Sequence, residues 1–206
     1  VIGQSKEYYT GLTRVQQIVT TNLQLTEEQA RKFTGFAAQT GEFTDTAMYN
    51  SKQYADQIAK STGMTIPFKD VVEEVSKASE ATQLQFGRLP GRIELAAVKA
   101  KSLGFSLDEM AKSGTQMLDI ESSIGKELEY QLLSGHRLIG NEEARAGLKG
   151  KSLTNAFREA TLQGDASKQA DVMNTILSQE GKVLQNNLLA RQQMAQLLGM
   201  DEATLA

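Results

Sequence analysis

Leu103-Gly104-Phe105-Ser106-Leu107-Asp108-Glu109-Met110 is the stretch on which the reading of the fold turns. Glycine accepts the left-handed backbone that closes a helix, and the apolar residue after it can fold back on the last turn. Ser106 and Glu109 stand three apart, as in a capping box, where each side chain takes the other's free backbone N–H. Phe105 precedes the cap and Met110 falls on the second turn, so the two can staple the new helix at its start. One helix ends and another begins within a few residues, a helix–corner–helix unit.

The same unit returns along the chain. Leu198-Gly199-Met200-Asp201-Glu202-Ala203 repeats it closely, and Thr62-Gly63-Met64-Thr65 does so more loosely. Leu23-Gln24-Leu25-Thr26-Glu27-Glu28-Gln29-Ala30 is a relative without glycine, with Thr26 and Gln29 as its capping pair. Between the corners the residues are mostly Ala, Leu, Gln, Glu and Lys, and apolar positions recur at helical rather than alternating spacing. The sequence of 206 residues holds only two prolines, Pro67 and Pro90. Proline inside a helix costs about 3 kcal/mol, so its scarcity leaves helices free to run. The expected class is all-α: about ten short to medium helices separated by glycine-based corners, as a helical bundle or an extended helical array.

Start and stop signals place these helices near 5–22, 27–40, 45–62, 67–86, 93–103, 107–112, 116–134, 142–148, 153–163, 166–180 and 183–198. In the first, Tyr8, Leu12, Val15, Val19 and Leu23 form a near-heptad stripe, open either to packing within the chain or to a coiled coil with another copy. In 116–134, Ile120, Ile124, Leu128 and Leu132 stack at four-residue spacing. Gly87-Arg88-Leu89-Pro90-Gly91 is the strongest breaker. It suggests an N-terminal helical region over 1–88 and a C-terminal one over 89–206. The opening at Val1 and the new helix start just before Ala206 read as part of a longer polypeptide.

Chemistry-bearing patterns are sparse. With 22 Lys and Arg against 25 Asp and Glu the net charge is −3, spread without blocks. Arg88, Arg92, Arg137 and Arg145 align loosely but stand among acids, so no sequence-specific nucleic-acid contact is expected. The helices that follow the corners also lack the Arg, Lys, Asn and Gln that read base edges. No apolar run approaches the roughly 20 residues of a membrane span. There is no cysteine and one histidine, His136, which excludes a classical zinc site. His136 follows a helix end, where it can bond the last carbonyls and complement the dipole. The adjacent acids Glu73/Glu74, Asp108/Glu109 and Glu142/Glu143 point apart on a helix and make no acid–base couple. Leu138-Ile139-Gly140-Asn141-Glu142 reads as a turn capped by Asn141, without the spaced carboxylates of a calcium loop. Leu148-Lys149-Gly150-Lys151 reads as a solvated basic turn, and no phosphate-binding glycine loop is present. No catalytic, cofactor-binding or metal-binding residues are assigned, and the chain is expected not to be an enzyme.

From about Ile93 onward the chain resembles the tail tape-measure proteins of tailed bacteriophages. The resemblance is carried by Ala97-Val98-Lys99-Ala100-Lys101-Ser102 leading into the quoted corner. It continues through Met117-Leu118-Asp119-Ile120-Glu121-Ser122-Ser123-Ile124-Gly125-Lys126-Glu127-Leu128-Glu129-Tyr130-Gln131-Leu132-Leu133-Ser134-Gly135. Ala160-Thr161-Leu162-Gln163-Gly164-Asp165 and the closing Ala195-Gln196-Leu197-Leu198-Gly199-Met200-Asp201-Glu202-Ala203 add to it. These cover a little over half the chain and carry no active-site signature; the first ninety residues share only a helical, Gln/Thr/Ala-rich texture.

The resemblance implies a structural virion protein present in several copies, in the tail tube lumen or at the tail tip, and in the host cytoplasm during assembly. It implies a role in tail length and in tube assembly at the baseplate, with release before genome ejection. The partners it implies are other copies of itself and the tail tube and baseplate hub proteins. Glycine punctuation departs from a simple rod and suggests a compact region docked near one end of the parent chain. A helical protein–protein interaction module, adaptor or signalling bundle, is the alternative that the residues leave open, with a helical enzyme domain completed elsewhere behind it.

Overall fold

A computed structural model describes residues 13, 16–39, 44–87, 91–144 and 147–205. The fold is all-α, and no strand is present among the described residues. In chain order the helices are α1, described over 16–21, then α2 (Glu27–Gln39), α3 (Thr44–Thr62), α4 (Phe68–Lys77), α5 (Glu80–Phe86) and α6 (Arg92–Ser102). They continue with α7 (Leu107–Leu118), α8 (Ile120–Ser134), α9 (Leu153–Leu162), α10 (Ala166–Asn186), α11 (Leu188–Leu198) and a 3-10 turn at Glu202–Leu205. Of the N-terminal stripe only Val19, fully buried, and Leu23, half-buried, can be placed; Tyr8, Leu12 and Val15 lie outside the described residues.

The chain forms two compact units, Val1–Ser102 and Leu103–Ala206. The sequence reading put the boundary at 88/89, at a breaker whose Arg88, Leu89 and Pro90 lie outside the described residues. The units divide instead at the Leu103-Gly104 corner. The reason is α6, whose Ile93, Ala96, Ala97 and Ala100 are buried and which packs on α3 and α4. In the first unit α3, α4 and α6 surround Ala55, Ile58, Val71, Val72 and Val75, while α2 adds Phe33 and Phe36. The buried Glu74 carboxylate of α4 is paired with Lys101 of α6 at 2.9 Å.

In the second unit α10 packs on α9 and α11, and α11 packs on α7 and α8. The core there holds Leu107, Met110, Met117, Tyr130, Leu138, Leu153, Phe157, Met173, Ile176, Met194, Leu197 and Leu198.

Both capping boxes form. The Ser106 N–H donates to Glu109 Oε2 at 2.7 Å and the Glu109 N–H to Ser106 Oγ at 3.2 Å. The Thr26 N–H donates to Gln29 Oε1 at 3.0 Å and the Gln29 N–H to Thr26 Oγ1 at 3.2 Å. Phe105 and Met110 are both buried. At the end of α11, Gly199 has φ 64° and Met200 N–H donates to Ala195 O at 2.9 Å, the closing bond of a Schellman motif. The corner without glycine keeps the same backbone: Gln24 sits at φ 52° where the others have glycine. The loosest copy is loose in space too, since Met64 remains exposed and burial passes to Ile66.

Five of the predicted helices have different bounds. The stretch 67–86 is two helices, because Ser79 interrupts it and its Oγ accepts from the Thr82 N–H as the N-cap of α5. The helix predicted over 107–112 runs on to Leu118. Gly114 lies with Leu107, Met110, Ala111 and Met117 on the buried face, where packing offsets its poor propensity. The next helix therefore starts after Asp119 rather than at Gln116. Likewise α10 passes through Gly181 to Asn186, carrying Leu184 into the core, and the break falls at Asn187.

The helix predicted over 142–148 does not form among the described residues. There the chain pinches, with Gly140 N–H donating to Lys151 O, Gly150 N–H to Gly140 O and Leu153 N–H to Leu138 O. A Cβ on Gly140 would lie 2.1 Å from the Leu148 carbonyl oxygen, so this approach requires glycine. Asn141 does act as expected of a turn residue, accepting from the Glu143 N–H at 3.0 Å.

Candidate functional site

Among the exposed apolar side chains of the second unit, which also include Leu162, Leu188 and Leu189, those on the outer face of α8 form a row. Asp119 opens the helix, its Oδ1 accepting from the Ser122 N–H, and Gly135 closes it at φ 77°. Ile120, Ile124, Leu128 and Leu132, the row at four-residue spacing, face solvent with 49%, 44%, 56% and 85% of their surface accessible. The residues of α8 that are buried are Ser123 and Tyr130. Four large aliphatic side chains in one row, each four residues from the next, form a continuous ridge on a helix surface.

Two buried polar anchors set the rotation of α8. Arg158 of α9 reaches the α7–α8 corner: Nε donates to Met117 O at 3.1 Å, Nη2 to Ser123 Oγ at 2.9 Å and Nη1 to Asn155 Oδ1 at 2.7 Å. Glu127 lies beside the same guanidinium at 3.7 Å. Further along, Tyr130 Oη donates to Glu180 Oε2 of α10 at 2.5 Å, both groups being buried. Buried charges need partners or cost several kcal/mol. Ser123 and Tyr130 supply those partners only when they face inward, which turns the aliphatic row out.

The Glu180 carboxylate also accepts from His136. Nε2 lies 2.8 Å from Glu180 Oε1 and Nδ1 lies 3.1 Å from Ser134 O. Both ring nitrogens thus face acceptors, and only the imidazolium can donate to both. The bond to Glu180 raises the His136 pKa above its usual 6.5. Burial first, then the carboxylate, pushes the Tyr130 hydroxyl far above its usual range, so it stays protonated. Tyr130, Glu180 and His136 hold a proton-rich pin between α8, the turn after it and α10. The phenol is inaccessible to any substrate, and the half-exposed imidazolium has no proton-accepting nitrogen to offer while so bonded.

His136 therefore bonds a last-turn carbonyl, as its position suggested, but its ion pair with Glu180 escaped the sequence reading. The available signal was Glu180 itself, which continues the apolar row Val172, Ile176 at four-residue spacing. A carboxylate on an apolar stripe calls for a buried partner.

Among the described residues no group of three His, Asp or Glu side chains is placed to hold a metal ion. No described helix is long and apolar enough to cross a membrane. Glu73/Glu74 divide their roles: Glu73 pairs with Lys77 at 2.5 Å along α4, and Glu74 with Lys101. Asp108/Glu109 start α7. Lys149 pairs with Glu142 across the pinched turn. Arg88 and Arg145 lie outside the described residues. Comparison with protein-family models, with curated proteins and with solved structures finds no match for this chain.

Proposed function

We propose that the chain is a non-catalytic structural segment of a phage tail tape-measure protein, acting by helix docking at the tail tip or baseplate. In this reading it takes part in tail-length determination and tube assembly, contacts tail tube and baseplate hub proteins, and leaves before genome ejection. The observation that supports it is the outward ridge of Ile120, Ile124, Leu128 and Leu132. It lies within the stretch whose phrases resemble the family, in a unit built of helices too short to act as a long rod. The longest of them, α10, has 21 residues, about 32 Å at 1.5 Å per residue.

Mass spectrometry of purified tails tests the assignment directly: peptides of this chain are expected, and tails without them overturn the phage reading. In-frame deletion of 103–206 tests the role. Docking predicts no tails, or tails of normal length that lack density at the tip. Shortening by about 1.5 Å per deleted residue would instead make the segment part of the ruler. Presence in a host complex rather than in virions would favour the interaction-module alternative, which the same ridge also serves.

A further inference from the structure

The ridge on α8 is bordered by a second row one residue along: Glu121, Gly125 and Glu129, again at four-residue spacing and all exposed. Neither Glu121 nor Glu129 has a side-chain partner among the described residues. Gly125 lies inside the helix, where glycine is a poor helix former. No described residue accounts for it, since a Cβ there would meet no described atom within 4 Å. The surface of α8 is thus an aliphatic ridge beside a groove with a glycine notch at its middle and a free carboxylate one turn to either side.

We infer that this face takes an amphipathic helix of another protein, one whose own aliphatic row is bordered by Lys or Arg. The inference rests on the docking role proposed above and gives its partner a chemistry. Rows at four-residue spacing mesh with rows of the same spacing at a crossing of about −50°, with axes 8–10 Å apart. At such a crossing the partner's ridge enters the groove over Gly125, the point where a missing side chain permits the closest approach. Its flanking cations then meet Glu121 and Glu129, which the apolar contact partly desolvates, strengthening the attraction. A second copy of α8 fits worse. Antiparallel pairing centred on Gly125 sets Glu121 of each copy against Glu129 of the other, four carboxylates against only the two Lys126 side chains beside the notch. Charge complementarity therefore favours a basic partner over self-association.

The test uses the full chain and two synthetic helical peptides, with the same leucines at every fourth position and either Lys or Glu beside them. Titration calorimetry should show the Lys peptide binding at least tenfold tighter than the Glu peptide, with the difference shrinking as salt is raised. Gly125→Leu fills the notch while improving helix propensity, so it should abolish binding without lowering the melting temperature. Glu121→Lys with Glu129→Lys should reverse the preference toward the Glu peptide. Equal binding of the two peptides would reduce the face to an unspecific apolar patch and overturn the inference. So would binding of neither peptide, or a concentration-dependent dimer of the free chain that Leu128→Glu abolishes. None of these outcomes bears on whether tails contain the chain, so the tail assignment stands or falls separately.

Discussion

His136 is held by two acceptors, Glu180 and the Ser134 carbonyl, and this fixes how the second unit responds to pH. Its pKa is raised above 6.5 in the folded chain. The pairing therefore contributes fully below about pH 6.5 and is lost as pH rises through the folded value. His136→Gln should lower stability by roughly 0.2–1 kcal/mol at pH 5.5, the range for a partly exposed pair. The deficit should be smaller at pH 9, as read by urea titrations at the two pH values. Tyr130→Phe removes a buried donor from the same carboxylate, and its cost of about 1–3 kcal/mol should stay constant across that range. Gln24 offers a different residue-scale test. An L-residue in the left-handed region loses about 1–2 kcal/mol, part of which glycine gives back in unfolded-chain entropy. Gln24→Gly should raise stability by up to about 1 kcal/mol in thermal unfolding.

Among the elements, the joint between α7 and α8 depends on a residue from a third helix. Arg158 reaches Met117 O, Ser123 Oγ and Asn155 Oδ1 together, a fork that an ammonium cannot reproduce. Arg158→Lys should cost about 1–3 kcal/mol and release the rotation of α8. The readout is tryptic or deuterium-exchange protection of 119–134, which should fall relative to α10. The elements also show what the sequence made legible. Corners were readable because capping is local: Ser106 with Glu109, Thr26 with Gln29 and Gly199 with Met200 act across a few residues. The orientation of α8 was not readable. Its four aliphatic residues define a stripe that any local measure assigns to the core. What turned it outward were Arg158 and Glu180, 35 and 50 residues from Ser123 and Tyr130. Gly114 and Gly181 misled in the same way, since a glycine ends a helix only if nothing packs against the turn beyond it.

At the scale of the whole molecule, the division after Ser102 separates two cores with no named helix crossing it. The second unit is just over 100 residues, enough for an independent core. Residues 103–206 expressed alone should melt cooperatively with helicity matching the ordered elements α7 to α11. A broad, weakly helical transition would mean that this unit needs the first. The sequence reading anticipated a division but attached it to the proline-containing breaker. The boundary is set instead by how α6 is buried, which only long-range packing decides. The candidate face followed the same rule: its residues stood out in the sequence, while their exposure did not.

The single-residue joint at Asp119 has a mechanical side. With Arg158 bracing the corner from α9 and Tyr130 tied through Glu180 to α10, a load applied along α8 is shared at once by three other helices. Rupture would have to break buried polar contacts together rather than peel turns one by one. On the docking role proposed above, a helix mounted this way would act as a rivet, holding a partner under tension while the elements around it keep their shape.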